Sequence, residues 1–216
     1  MKSMWLEKFK TIVIEGPIGV GKTSLTKKIA NKFSITYLLE AADQNPFLNK
    51  FYLENKKYAF PTQLFFLFQR LDQIQKYSQR DLFNENIISD FMLEKDPIFA
   101  TVTLNDDELS LYQKIFHSQT TQLPMPDLVI YLQATPNQLF QRIQKRGNPI
   151  EQNISIEYLQ NLCVAYNKFF HQYTLAPTLV VNTASFNPIE NERDFASLIN
   201  QISSLRGRRT FFNSTR

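Results

Sequence analysis

One run of eight residues constrains this chain more than any other: Gly16-Pro17-Ile18-Gly19-Val20-Gly21-Lys22-Thr23, which satisfies G-x-x-x-x-G-K-[ST]. The chain uses glycine sparingly. Of its five glycines, three fall in this run, where backbone must turn tightly or approach a ligand closely. Before it stands a short β-branched run, Thr11-Ile12-Val13-Ile14. After it, Leu25, Ile29 and Ala30 recur at helical spacing between Ser24 and Phe33. The motif therefore sits between a predicted strand and a predicted helix. In that context the loop from Gly16 to Ser24 points backbone N–H groups and a helix N-terminus at phosphates, Lys22 reaches the β/γ oxygens, and the Thr23 hydroxyl ligates Mg²⁺. An ordinary glycine-rich turn lacks both flanking elements, so a nucleoside triphosphate site with ATP and Mg²⁺ is the expectation.

Further apolar runs at 35–39, 86–89, 127–132 and 178–181 read as strands. Helical spacing covers about 47–57, 62–80, 106–121, 136–146, 155–173 and 191–204. Such alternation predicts an α/β fold, a parallel five-stranded sheet flanked by helices, in one domain over residues 1–205. Thr135 as N-cap, Pro136 at the first helical position and Gln138 three residues on form a capping box. The end, residues 206–216, is basic and patternless and reads as a flexible, solvated tail.

Composition narrows the partners. Lys and Arg number 24 against 20 Asp and Glu, a net charge of +4, too mild for a dedicated nucleic-acid binder. The one cysteine, Cys163, leaves no disulfide to form within the chain. No run approaches a membrane span, and residues 1–10 lack a signal-type apolar stretch. A cytoplasmic protein with neither membrane nor nucleic-acid partner is the expectation.

In open parallel sheets ligands bind beyond the carboxyl ends of strands. Two carboxylates stand there, Glu40 after 35–39 and Asp90 after 86–89. Either can accept a hydroxyl proton or hold the Mg²⁺ shell, and either can equally be a cap for the next helix. Gln63 and Arg70 lie seven residues apart on a predicted helix, with Phe66 between them on the same face. An amide and a guanidinium around a ring can read and stack a planar base; a wet helix edge is the alternative. Arg142 and Arg146, at i,i+4 before Gly147, suit closure over transferring phosphates or a surface basic stripe.

Taken in order, Ile14 to Thr23, Asn45-Pro46-Phe47-Leu48 with Phe51-Tyr52, Tyr58-Ala59-Phe60 leading to Gln63 and Arg70, Ile98-Phe99-Ala100, Tyr131 to Pro136, Arg142-Ile143, Arg146-Gly147, Glu151 and Glu157-Tyr158-Leu159 resemble the deoxynucleoside kinases, above all the bacterial deoxyguanosine and deoxyadenosine kinases. The resemblance runs from about residue 11 to 183. It implies a nucleotide-kinase fold, a homodimer, and ATP-dependent phosphorylation of a deoxynucleoside, a purine by branch. It also implies roles: Glu40 as general base for the 5′-hydroxyl, Gln63 at the base edge, Arg70 beside it, Tyr52 and Glu151 on the 3′-hydroxyl, and Arg142 and Arg146 as lid arginines. The chain departs from animal-type members in Ser89-Asp90-Phe91 where they have Glu-Arg-Ser, and in Lys95 where they have a base-reading Asp. Asn148 replaces a third lid arginine, which predicts weaker closure. Rival readings are a nucleoside monophosphate kinase, which needs an extra arginine at the acceptor end, and a non-catalytic nucleotide binder.

Overall fold

The computed structural model describes residues 4–80, 86–119 and 125–213. Helix α1 (Met4–Lys8) leads into β1 (Thr11–Glu15), α2 (Lys22–Phe33), β2 (Thr36–Leu38), α3 (Leu48–Leu53), α4 (Asn55–Arg80) and β3 (Ile87–Ser89). Then follow α5 (Asp96–Thr103), α6 (Asp106–Gln119), β4 (Leu128–Gln133), α7 (Pro136–Arg146), α8 (Ile156–Gln172), β5 (Thr178–Asn182), α9 (Glu192–Ser204) and β6 (Arg209–Phe212). The strands form one sheet in the order β2-β3-β1-β4-β5-β6, and every pairing is parallel.

Alternation along the strands divides the core between two faces. Ile12 and Ile14, Leu128, Ile130 and Leu132, and Leu179 and Val181 pack with Leu25 and Ile29 of α2 and Phe195, Leu198 and Ile202 of α9. Their intervening neighbours Val13, Val129, Tyr131 and Val180 pack with Ile98 of α5 and Leu162, Tyr166 and Phe170 of α8. Helices on both faces account for strands that are apolar at successive positions rather than alternating with polar ones. The chain moves from β1 to one side of the sheet for β2 and β3, then crosses to β4 on the other side. That reversal opens a crevice at the carboxyl end of β1, where the Gly16–Thr23 loop begins.

Two expectations are corrected, and one helix was not anticipated. The sheet has six strands, not five, because the basic end is not a free tail: residues 209–212 pair with the outer edge of β5, and Thr178 N–H donates to the Arg208 carbonyl at 2.8 Å. Four basic or turn residues before Thr210-Phe211-Phe212 hid a strand too short to show alternation. The two helices anticipated at 47–57 and 62–80 divide instead at Glu54, so that α4 begins at Asn55. Pro61 lies inside α4. Asp96–Thr103, assigned no element from the sequence, is helical, with Pro97 in its first turn, although its β-branched residues favour strand. The Thr135–Gln138 capping box is formed in both directions. For the helix anticipated at 106–121, the last two positions lie outside the described residues, as do residues 214–216.

The edge strand supplies a stability test. Phe212 is half-buried and meets Phe186 edge-on at 5.1 Å, whereas Phe211 is 67% exposed. Phe212→Ala should cost about 1–2 kcal/mol, seen as a melting point lower by about 2–8 °C. Phe211→Ala should stay within about 0.5 kcal/mol.

Candidate active site

The phosphate loop is built as its glycines require. A Cβ at Gly16 would lie 2.5 Å from the Leu132 carbonyl oxygen, a backbone atom that cannot move aside. Gly21 caps α2 in the left-handed region at φ 104°, where an L side chain is strained. Lys22 Nζ folds back over the loop, donating to the Gly16 carbonyl at 2.8 Å and to that of Pro17 at 3.3 Å. Burial lowers its pKa, partly offset by Glu15.

Beyond the loop the strand-end carboxylates do not cap helices. Asp90 accepts the Thr23 hydroxyl through Oδ2 and the Glu40 backbone N–H through Oδ1 at 2.7 Å, tying the first turn of α2 to the ends of β2 and β3. Glu40 lies between cations. Arg70 Nε donates to Oε1 at 2.6 Å, and Lys95 Nζ to Oε2 at 3.0 Å. Burial alone would raise the Glu40 carboxyl, but Arg70, Lys95 and Lys22 together hold it down to about 2. It is a carboxylate at any neutral pH.

Sequence reasoning missed two groups around it. Glu15, fully buried at the end of β1, accepts the Gly16 N–H at 2.9 Å and the Tyr166 hydroxyl at 2.9 Å. Its other oxygen lies 3.9 Å from Lys95 Nζ. Asp96, also fully buried, pairs with Arg70 and accepts the Tyr112 hydroxyl at 3.2 Å. Burial pushes the Asp96 carboxyl up to about 6 against the pull of Arg70. An Arg–Asp pair is thus present between α4 and α5, carried by Asp96 rather than by position 95. The available signal was the triplet Glu94-Lys95-Asp96, charged residues set between apolar ones, which is unusual unless the charges are paired.

A single cavity gathers Lys22, Thr23, Glu40, Tyr52, Gln63, Phe66, Arg70, Asp90, Arg146 and Glu151. Gln63 is 3% exposed, and the Arg70 guanidinium lies 4.8 Å from the centre of the Phe66 ring, so this helix edge is not wet. A second cleft opens on the other side of the loop, lined by Gly19, Val20, Gly21 and Ser24 together with Arg142, Thr183 and residues 186–190. The two helix-α7 arginines part company. Arg142 donates to the Thr183 carbonyl at 2.8 Å and hydroxyl at 3.0 Å in the second cleft. Arg146, which lines both clefts, pairs with Glu151 of the first. Asn148 accepts the Ile150 N–H at 3.1 Å, capping the turn that carries Glu151. Its side chain is therefore committed to local structure.

The sequence model of the deoxynucleoside kinases matches residues 12–206. Deoxyguanosine kinase of Bacillus subtilis is 37% identical over 199 residues, covering 90% of this chain and 96% of that protein. Deoxyadenosine/deoxycytidine kinase of the same organism is 27% identical over 215 residues, covering 95% and 97%. The solved structure of deoxyadenosine kinase from M. mycoides with bound dATP superposes with a TM-score of 0.79 at 27% identity, covering 89% of this chain and 98% of that one.

Asp96 gives this site a measurable stability. Asp96→Ala leaves the Arg70 charge buried with one partner fewer and the Tyr112 hydroxyl without its acceptor. It should cost about 3–5 kcal/mol in urea unfolding.

Proposed function

Because the chain belongs to the deoxynucleoside kinase family, we propose that it transfers the γ-phosphoryl group of ATP, with Mg²⁺, to the 5′-hydroxyl of a purine deoxynucleoside. Deoxyguanosine is the first candidate, on the 37% identity to the Bacillus deoxyguanosine kinase. The family resemblance extends the reading to a homodimer serving nucleotide salvage in the cytoplasm. Among the described residues no helix is long and apolar enough to cross a membrane.

One observation carries the reading: the acceptor residues named above line a cavity that shares Gly19, Lys22 and Thr23 with the phosphate loop. An acceptor hydroxyl in that cavity faces phosphates on the loop. A monophosphate acceptor would need a free arginine at the acceptor end, yet the buried Arg70 there is already held by Glu40 and Asp96. A non-catalytic binder leaves the acceptor cavity without a use.

In this mechanism the second cleft takes the nucleoside end of ATP, and the loop N–H groups with Lys22 hold its phosphates. The Thr23 hydroxyl and Asp90 carboxylate meet beside the loop, an oxygen donor pair suited to Mg²⁺, which keeps several waters and takes one or two carboxylates with substrate phosphates. When bound, the ion neutralises phosphate charge. Glu40, ionised between Arg70 and Lys95, receives the 5′-hydroxyl proton as the bond to phosphorus forms. A carboxylate this acidic is a weak base, so the proton moves late, and positioning with charge neutralisation supplies most of the rate. Arg146 reaches the phosphates only by leaving Glu151, which links lid closure to the sugar end. Tyr52 and Glu151 hold the 3′-hydroxyl, with Tyr52 kept protonated by burial and by neighbouring Tyr158 and Glu151.

The test is ADP release with ATP and Mg²⁺ against four deoxynucleosides, four ribonucleosides and the monophosphates; best turnover on a monophosphate would refute the reading. Glu40→Gln should lower kcat by about 10²–10⁴-fold with little change in nucleoside affinity. Lost binding at unchanged kcat would make Glu40 a positioning residue only. Tyr52→Phe should raise KM for deoxynucleosides more than it lowers kcat, because the lost contact is made in ground and transition states alike. 2′,3′-Dideoxynucleosides should be poor substrates of the wild type and lose little further in that variant.

A further inference from the structure

A terminal amide carries a donor and an acceptor, so Gln63 could read opposite base edges by turning over. Thr103, in the last turn of α5, limits that freedom. Its hydroxyl donates to the Phe99 carbonyl at 2.8 Å, which uses its only proton. Toward Gln63 the Thr103 oxygen can then only accept, and the Gln63 Nε2 donor lies 3.4 Å away. Gln63 Oε1 has no protein hydrogen-bond partner among the described residues, and Gln63 lines the acceptor cavity whereas Thr103 does not. Thr103 touches the reader from behind.

We propose that Thr103 is a positioning residue that holds the Gln63 amide in one orientation, and so gives the base end of the cavity a single order of donor and acceptor. The proposal rests on Gln63 reading the base, as argued above. Adenine and cytosine present an amino donor beside a ring-nitrogen acceptor, whereas guanine presents a carbonyl acceptor beside a ring N–H donor. One amide matches both only by turning over. Here that sets Oε1 against the Thr103 oxygen, or makes the hydroxyl abandon Phe99. Either way one hydrogen bond is lost, a bias of about fivefold. The contact is long for an N–H donor and an oxygen acceptor, which keeps the effect to that order. Thr103 thereby separates guanine from adenine and cytosine without contacting any of them.

The experiment compares kcat/KM for deoxyguanosine, deoxyadenosine and deoxycytidine in wild type, Thr103→Val, Thr103→Ser and Gln63→Leu, each confirmed folded by circular dichroism. In Thr103→Val the ratio between deoxyguanosine and the other two should contract about fivefold, through KM of the poorer base, with kcat and KM for ATP within about twofold of wild type. Thr103→Ser keeps the hydroxyl and should keep the wild-type ratio. An unchanged ratio in Thr103→Val, where Gln63→Leu abolishes it, overturns the lock and leaves Gln63 as reader. Thr103→Ser behaving like Thr103→Val, or a loss spread evenly over all bases and kcat, also overturns it. An unchanged ratio in Gln63→Leu removes the base-reading role itself, and this proposal with it.

Discussion

The site depends on a buried series of alternating charges: Glu15, Lys95, Glu40, Arg70 and Asp96. The members come from four stretches of chain: the end of β1, the end of β2, the middle of α4, and the start of α5, where Lys95 and Asp96 are adjacent. Desolvating any one of these groups alone would be costly, and each interior charge is compensated by a neighbour on either side. The series therefore fixes how α4 and α5 sit over the carboxyl edge of the sheet. It also keeps Glu40 ionised where burial by itself would favour the protonated acid.

This arrangement divides the crevice at the end of β1 into two compartments with the phosphate loop between them. The loop's close approach to Leu132 leaves no room for a side chain at Gly16, so loop and sheet move together. Asp90 completes the link by holding both Thr23 and the backbone of residue 40. Groups that would meet phosphate and groups that would meet an acceptor hydroxyl thus share one rigid frame, and in the proposed reaction that frame does the positioning. At the end of α7, Arg146 is 50% exposed and pairs with Glu151, whose side chain is 14% exposed. With its arginine half in solvent, this pair is held less tightly than the buried series.

The sequence by itself determined the phosphate loop, the first five strands, the capped helix at 136–146 and the shared helical face of Gln63, Phe66 and Arg70. These are short-range facts. A glycine run between a β-branched strand and an amphipathic helix, or residues seven apart on one helix, are governed by backbone sterics and periodicity within a dozen residues. Only the tertiary structure decided who pairs with whom. Lys95 could not be matched to Glu40 and Glu15 from spacing, nor Asp96 to Arg70, because ion pairs between distant segments leave no periodic trace. The same reason hid the separate partners of Arg142 and Arg146 and the strand at residues 209–212. A four-residue edge strand has too little pattern of its own, and it forms because β5 offers it an unpaired row of backbone donors and acceptors.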